Sequence, residues 1–315
     1  MTPGSYRHQI VRVIKQRIPR PVLRKLFASK LFSLGVVLGL AAPAFAAPLL
    51  DRPGLVSTDW LAERIEDPGL RIIDARASLR AYVQGHVPGA VYLNTETVRI
   101  SEGGVPARLL APEQIAEILG KLGIANDHTV VVYSSAEESF AHAAYVAFLL
   151  EWLGQRAIGV LDGGIEKWRA EDRELSRKFP VRDPVAFQAR PEASVLETAD
   201  EVRRAIAGRQ TVLLDAREPP PFAAGHLPTA RNLFHGRGLT ESEIKTWRSP
   251  DELRALASAV GADGGQPVIT YCTSGRESAQ LWFTLRHVAG LPRVSSYHGS
   301  WIDWTVRGLP TGSGP

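Results

Sequence analysis

Arg71-Ile-Ile-Asp-Ala-Arg76 returns further along the chain as Val212-Leu-Leu-Asp-Ala-Arg217. Each copy is a short apolar run ending on an acid and an arginine, the pattern of a buried strand that opens into a loop. The recurrence does not stop there. Gln84-Gly-His-Val-Pro-Gly-Ala90 is repeated as Ala224-Gly-His-Leu-Pro-Thr-Ala230, and Ala111-Pro-Glu-Gln-Ile115 as Ser249-Pro-Asp-Glu-Leu253. Thr129-Val-Val-Val-Tyr133 matches Pro267-Val-Ile-Thr-Tyr271, and Asp162-Gly-Gly-Ile-Glu-Lys-Trp168 matches His298-Gly-Ser-Trp-Ile-Asp-Trp304. Five matches in the same order make the chain a duplication. Its units are 47–171 and 195–315, with the polar, proline-containing stretch 172–194 as the linker.

Within each unit, short apolar runs such as Ile72–Asp74, Val130–Tyr133 and Ile158–Leu161 alternate with helical patterns at 112–121 and 139–153. Proline at the first helical position marks the helix starts at Pro112 and Pro250. The alternation predicts an α/β fold of two tandem domains, each a parallel sheet flanked by helices. In such sheets ligands bind beyond the carboxyl ends of the strands. The strand 267–271 ends where Cys272 begins.

Composition narrows the class. The chain has 315 residues, 44% of them hydrophobic and 22% charged, which suits globular domains with sizeable cores. Its net charge of +4 is misleading, because eight of the 37 Lys and Arg residues fall in residues 1–46, which contain no Asp or Glu. The 29 that follow face 33 acids, so there is no basic stripe and no nucleic-acid partner is expected. The first 46 residues read as a secretory signal: a basic region, the apolar run Leu31–Leu40, and the small-residue site Ala44-Phe-Ala46. Leu31–Leu40 is about half the roughly 20 residues a spanning helix needs. The expectation is cleavage after Ala46 and a periplasmic or otherwise exported protein that meets the membrane only during export.

Cys272 is the single cysteine, so the fold must hold without an internal disulfide. A lone thiol is either a buried small hydrophobe or a working one. The loop Cys272-Thr-Ser-Gly-Arg-Glu-Ser278 precedes a helical pattern, Ala279–Arg286, and a loop of this kind aims several backbone N–H groups into one concavity. That arrangement predicts a lowered thiol pKa, with Gly275 giving the loop its freedom and Arg276 adding a positive charge.

Taken together, the Asp-x-Arg strand ends, the Gly-His-x-Pro-x-Ala turns, the Cys-x-Ser-Gly-x-x-Ser loop and the closing Gly-Ser-Trp-x-x-Trp resemble the rhodanese family, as a tandem pair of such domains. The resemblance implies a sulfurtransferase in which Cys272 is the nucleophile. It attacks the outer sulfur of a small donor, holds it as a persulfide, and passes it to a thiophilic acceptor: a thiol, a cyanide-like molecule or a protein. Thr273, Ser274, Gly275, Arg276, Glu277 and Arg217 are the implied substrate-binding residues, and neither metal nor organic cofactor is implied. The first half is similar to a non-catalytic partner, with Ser134 at the cysteine position and Glu137 and Glu138 following it.

The carry-over is uneven. Arg217 is either an ion-pair partner of Asp215 or a donor-binding cation, and the recurrence of Asp74 and Arg76 in the other half favours structure. His86 matches a histidine that mercaptopyruvate-using relatives pair with a loop serine, here Ser274, yet His226 repeats it. The arginine-bearing insertion of those relatives is absent, since Glu218-Pro-Pro-Pro-Phe222 runs straight on to His226, and thiosulfate is therefore expected ahead of 3-mercaptopyruvate. Thr273 and Ser274 nevertheless stand where thiosulfate-using relatives carry basic residues. Two rival readings follow from the same loop. One is a cysteine phosphatase or arsenate reductase, although the arginine such enzymes need six residues after the cysteine is here Ser278. The other is a sulfur-binding or sensing module with weak catalysis, for which Glu277 is the argument.

Overall fold

A computed structural model describes residues 50–314. The expected signal segment 1–46 lies outside them. The first half carries a five-stranded sheet ordered Gly54–Val56, Ile158–Leu161, Thr129–Tyr133, Leu70–Asp74, Ala90–Tyr92, all parallel. The second carries four parallel strands ordered Val294–Ser296, Val268–Tyr271, Val212–Asp215, Arg231–Asn232. Helices flank both sheets, as expected for strands that are apolar on both faces. The first half also holds an antiparallel hairpin, Arg99–Glu102 with Val105–Leu109, that the second half lacks.

The repeat is a repeat of contacts. Asp74 sits opposite Tyr133 on the neighbouring strand, and Asp215 opposite Tyr271. Arg76 forks onto Asp74 and donates to the carbonyl of Gly85 at 2.9 Å, while Arg217 forks onto Asp215 and donates to that of Gly225 at 2.6 Å. The turn histidines close the same circuit, His86 Nδ1 against the carbonyl of Tyr82 (2.9 Å) and His226 Nδ1 against that of Phe222 (3.0 Å). Trp168 and Trp304 each donate Nε1 to a backbone carbonyl six residues on, at 2.8 Å. The motifs shared by both halves therefore maintain a scaffold of satisfied buried polar groups.

Helix starts fall where the capping signals put them. Pro112 and Pro250 open their helices, and the Ser249 hydroxyl accepts from the Glu252 N–H in a reciprocal capping box. The stretch 172–194 forms no helix or strand and straps back onto the first half. Val185 N–H bonds the carbonyl of Gly120 at 3.0 Å, where a Cβ on Gly120 would lie 2.3 Å from the Val185 carbonyl oxygen.

The two halves meet helix to helix. Ala141–Trp152 is apolar apart from His142 and Glu151, and all twelve of its residues are buried, because one side faces its own sheet and the other the helix Arg276–Phe283. Phe148 meets Trp282 edge to face with centroids 5.2 Å apart, an arrangement worth about 1 kcal/mol beyond its area. Buried Glu151 crosses the same interface to Arg286 (3.1 Å) and His287 (2.7 Å). Losing one partner there would strand a charge, at a cost of about 3–5 kcal/mol.

Candidate active site

Cys272 follows the strand Val268–Tyr271 directly and is fully buried. Its Sγ receives the N–H of Gly275 at 3.0 Å, and the backbone N–H groups of Ser274 and Ser278 also point at it. The helix begins at Arg276, three residues earlier than the pattern Ala279–Arg286 implies. Gly275 is the reason. With φ of +100° it caps the helix by turning the chain sharply, so Arg276 and Glu277 occupy the first helical turn instead of a loop. A side chain at this position would force its neighbours to shift, since a Cβ would stand 2.6 Å from His298 Cδ2 and 2.8 Å from its carbonyl oxygen.

The degenerate loop of the first half shows what this glycine does. After Ser134 and Ser135 come the short 3-10 turn Ala136–Glu138 and two left-handed residues, Ser139 and Phe140, and the helix starts only at Ala141. Ser134 spends its hydroxyl on the N–H of Ala143 at 3.2 Å.

Three further groups hold the cysteine loop, and none belongs to a residue singled out for that role in the sequence. Ser300 Oγ accepts from the Cys272 N–H at 3.1 Å and lies 3.9 Å from Sγ. Its backbone is left-handed (φ +55°), as is its counterpart in the repeat, Gly164 (φ +55°). A serine where the inactive half uses glycine, in a conformation glycine favours, was a signal available from the repeat comparison. Arg99, from the hairpin of the first half, donates Nη2 to the Ser274 carbonyl at 2.8 Å and Nη1 to Glu96 at 3.0 Å. Tyr145 bonds His298 Nε2 at 2.8 Å, fixing the ring that walls Gly275. Burial, then the charge of Arg99, pushes the His298 pKa down to about 3, so the ring is neutral.

The electrostatics depart from the expectation of a lowered thiol pKa. Burial pushes the Cys272 thiol up to about 12, and the neighbouring Glu277 carboxylate adds to the effect against the pull of the backbone amides. Arg276 does not offset this, because its guanidinium turns to Glu96 of the first half. Glu277 remains below the usual carboxylate range. Burial acts against its ionised form, but the thiol hydrogen bond, its own N–H, His235 and Arg276 outweigh that cost.

A cavity of about 490 Å³ opens between the halves over this loop. Thr273, Arg276, Glu277 and Arg217 line it from the second half, facing Glu137, Glu138 and His142 of the first. Arg217 shows the cavity only a guanidinium already committed to Asp215 and stacked over Trp301 at 4.8 Å. Ser274 faces away, into a separate cavity beside the hairpin, and Gly275 is sealed under His298. His86 does not reach Ser274. It is buried in its own turn, stacked on Tyr82 with centroids 4.0 Å apart.

Comparison with known proteins decides the family: the rhodanese-like domain matches residues 57–171 and again 198–307. The chain belongs to the rhodanese family. Its tandem rhodanese domains are 31% identical to thiosulfate sulfurtransferase of Bos taurus over 81% of this chain and 93% of that one. They are 29% identical to a sulfur carrier protein of Thermus thermophilus, over 82% and 96% of the two chains. Among solved structures, the rhodanese-fold 3-mercaptopyruvate sulfotransferase of Escherichia coli superposes with a TM-score of 0.70 at 29% identity, covering 78% of this chain and 98% of that one.

Proposed function

We propose that this rhodanese-family protein is a sulfurtransferase that moves a sulfane sulfur from a small donor to a thiophilic acceptor through a persulfide on Cys272. The observation that carries this reading is the sole cysteine set at a strand end with three backbone N–H groups converging on its sulfur. Such a ring stabilises negative charge on a terminal sulfur bonded to Sγ as it would an oxyanion. The cavity beside it supplies room for donor and acceptor in turn.

Between the two donors named for its relatives, thiosulfate ranks ahead of 3-mercaptopyruvate. The latter brings a carboxylate away from its sulfur, and among the described residues both arginines lining the cavity already have acid partners. The phosphatase reading loses ground for the same reason, since Arg276 is turned to Glu96 and Ser278 donates its hydroxyl to the Gly275 carbonyl at 3.0 Å. Export, with cleavage after Ala46, is part of the proposal and rests on the sequence of residues 1–46 alone.

Mass spectrometry of the protein after incubation with donor tests the reading. A gain of one sulfur on Cys272, discharged by cyanide or a thiol and absent in Cys272→Ser, is expected. Undiminished turnover in Cys272→Ser would overturn it.

A further inference from the structure

On the first half, the helix Leu79–Gln84 and the strap 175–182 lie side by side and leave large apolar side chains in solvent. His86 and Ser176 exchange backbone bonds at 3.0 and 2.8 Å, Arg177 Nε donates to the Gln84 carbonyl at 3.0 Å, and Phe179 packs against Tyr82 with centroids 5.8 Å apart. Leu79 and Val83, one helical turn apart, are about half exposed, Phe179 is 59% exposed and Val181 96%. Single exposed apolar residues need no explanation, but four gathered on two bonded segments do.

The charges in the same place are of one sign. Arg80, Arg177, Lys178 and Arg182 are all exposed, and neither 77–92 nor 175–182 contains an acid, the strap's flanking acids being Glu174 and Asp183. The second half shows that the scaffold does not require this face. There Gly312 pairs with His226 as Ser176 does with His86, yet residues 310–314 read Pro-Thr-Gly-Ser-Gly. Its helix has Pro219, Pro220 and Ala223 where the first half has Leu79, Arg80 and Val83.

We propose that this face docks the protein on an anionic lipid bilayer, beyond any contact made during export. The proposal stands independently of the sulfurtransferase reading. The form of the face selects its occupant: a protein partner's helix or strand seats in a groove or on a sheet edge, whereas Phe179 and Val181 stand clear of the surface. Apolar tips sunk to the level of the headgroups, with cations beside them to meet anionic phosphates, hold a folded domain on a membrane interface. The sequence brings a bilayer within reach. The apolar run Leu31–Leu40 ends ten residues before Leu50, where the described structure begins, and that length spans at most about 35 Å. Ala77, two residues before Leu79, donates its N–H to Glu138 at 3.1 Å, and Glu138 lines the cavity over the cysteine loop. Docking therefore brings the mouth of that cavity beside the lipid.

The test uses the full chain and the chain from Ala47 that the proposed cleavage leaves, since residues Phe45–Pro315 form a compact unit by themselves. Each is mixed with vesicles of phosphatidylcholine plus phosphatidylglycerol and, separately, of phosphatidylcholine alone. With the anionic vesicles, amide exchange at 79–84 and 175–182 should slow in both chains, a signal that insertion of Leu31–Leu40 alone does not produce. For the chain from Ala47, flotation should show binding to anionic vesicles that weakens about fivefold for each cation removed, so about 25-fold for Lys178→Gln with Arg182→Gln. Phe179→Ser should weaken it about tenfold. An unchanged urea midpoint certifies that each variant is folded. Equal binding to the neutral vesicles, or anionic binding that these variants leave as it was, would overturn the proposal. So would exchange on this face that slows with rising protein concentration in the absence of lipid, because a second copy of the chain would then be the occupant.

Discussion

Substituting alanine for Gly275 separates two costs that a left-handed glycine usually combines. The first is conformational: an L-residue at φ +100° is strained by about 1–2 kcal/mol. The second is steric and local, because the new Cβ would lie 2.6 Å from His298 Cδ2 and 2.8 Å from both Nε2 and the carbonyl oxygen. His298 cannot swing away without breaking its 2.8 Å bond to Tyr145, so overpacking adds roughly 1–3 kcal/mol. Gly264 provides the control, with φ +92° and no atom within 4 Å of its Cβ position. Gly264→Ala should cost only the first amount, and Gly275→Ala about 2–5 kcal/mol in total. The functional cost should be larger still. Relief of the clash must move the Gly275 N–H away from its 3.0 Å approach to Sγ, and a displacement near 1 Å at a reacting centre costs about 100-fold. Urea unfolding of both variants alongside sulfur-transfer turnover measures both effects. Equal destabilisation of the two, or wild-type turnover in Gly275→Ala, would refute the reasoning.

Ser300→Gly should leave stability within about 1 kcal/mol, because relief of the left-handed strain offsets the lost partner of the Cys272 N–H. Turnover should still fall about tenfold, and an unchanged rate would mean the hydroxyl is only a structural brace. Acid sensitivity follows from the buried histidines. Burial, then the charge of Arg276, holds the His142 pKa down to about 4, so between its ordinary value of 6.5 and about 4 the unfolded chain binds the extra proton. Stability should therefore be fully present above pH 6.5 and fall as pH drops through that window, by about 1 kcal/mol per unit for this residue. The urea midpoint of His142→Gln should lose that part of the slope, and parallel curves for the two proteins would contradict it.

The strand ends, the helix starts at Pro112 and Pro250 and the place of Cys272 were all readable, because each depends on neighbours in sequence and on a period that recurs in the second unit. Arg276 illustrates what was not. Its position beside the cysteine is a local fact, but the side chain's direction depends on Glu96, which only folding brings near. Arg99 and Tyr145 were invisible for the same reason, being first-half residues whose partners, Ser274 and His298, lie in the other repeat. The thiol pKa runs opposite to the expectation because loop amides and helix polarity were weighed without the desolvation that complete burial of Cys272 imposes.

Glu151 and its partners Arg286 and His287, set in an interface whose central helix is buried on every side, bear on how sulfur leaves the protein. A crevice that opened by hinging would expose that carboxylate and tear the Arg99 and Tyr145 bonds on each cycle. An acceptor that leaves those bonds intact must enter through the aperture as it stands. A macromolecular acceptor would have to offer its sulfur-seeking group on a slender projecting tip, because a flat docking face could not reach the cysteine.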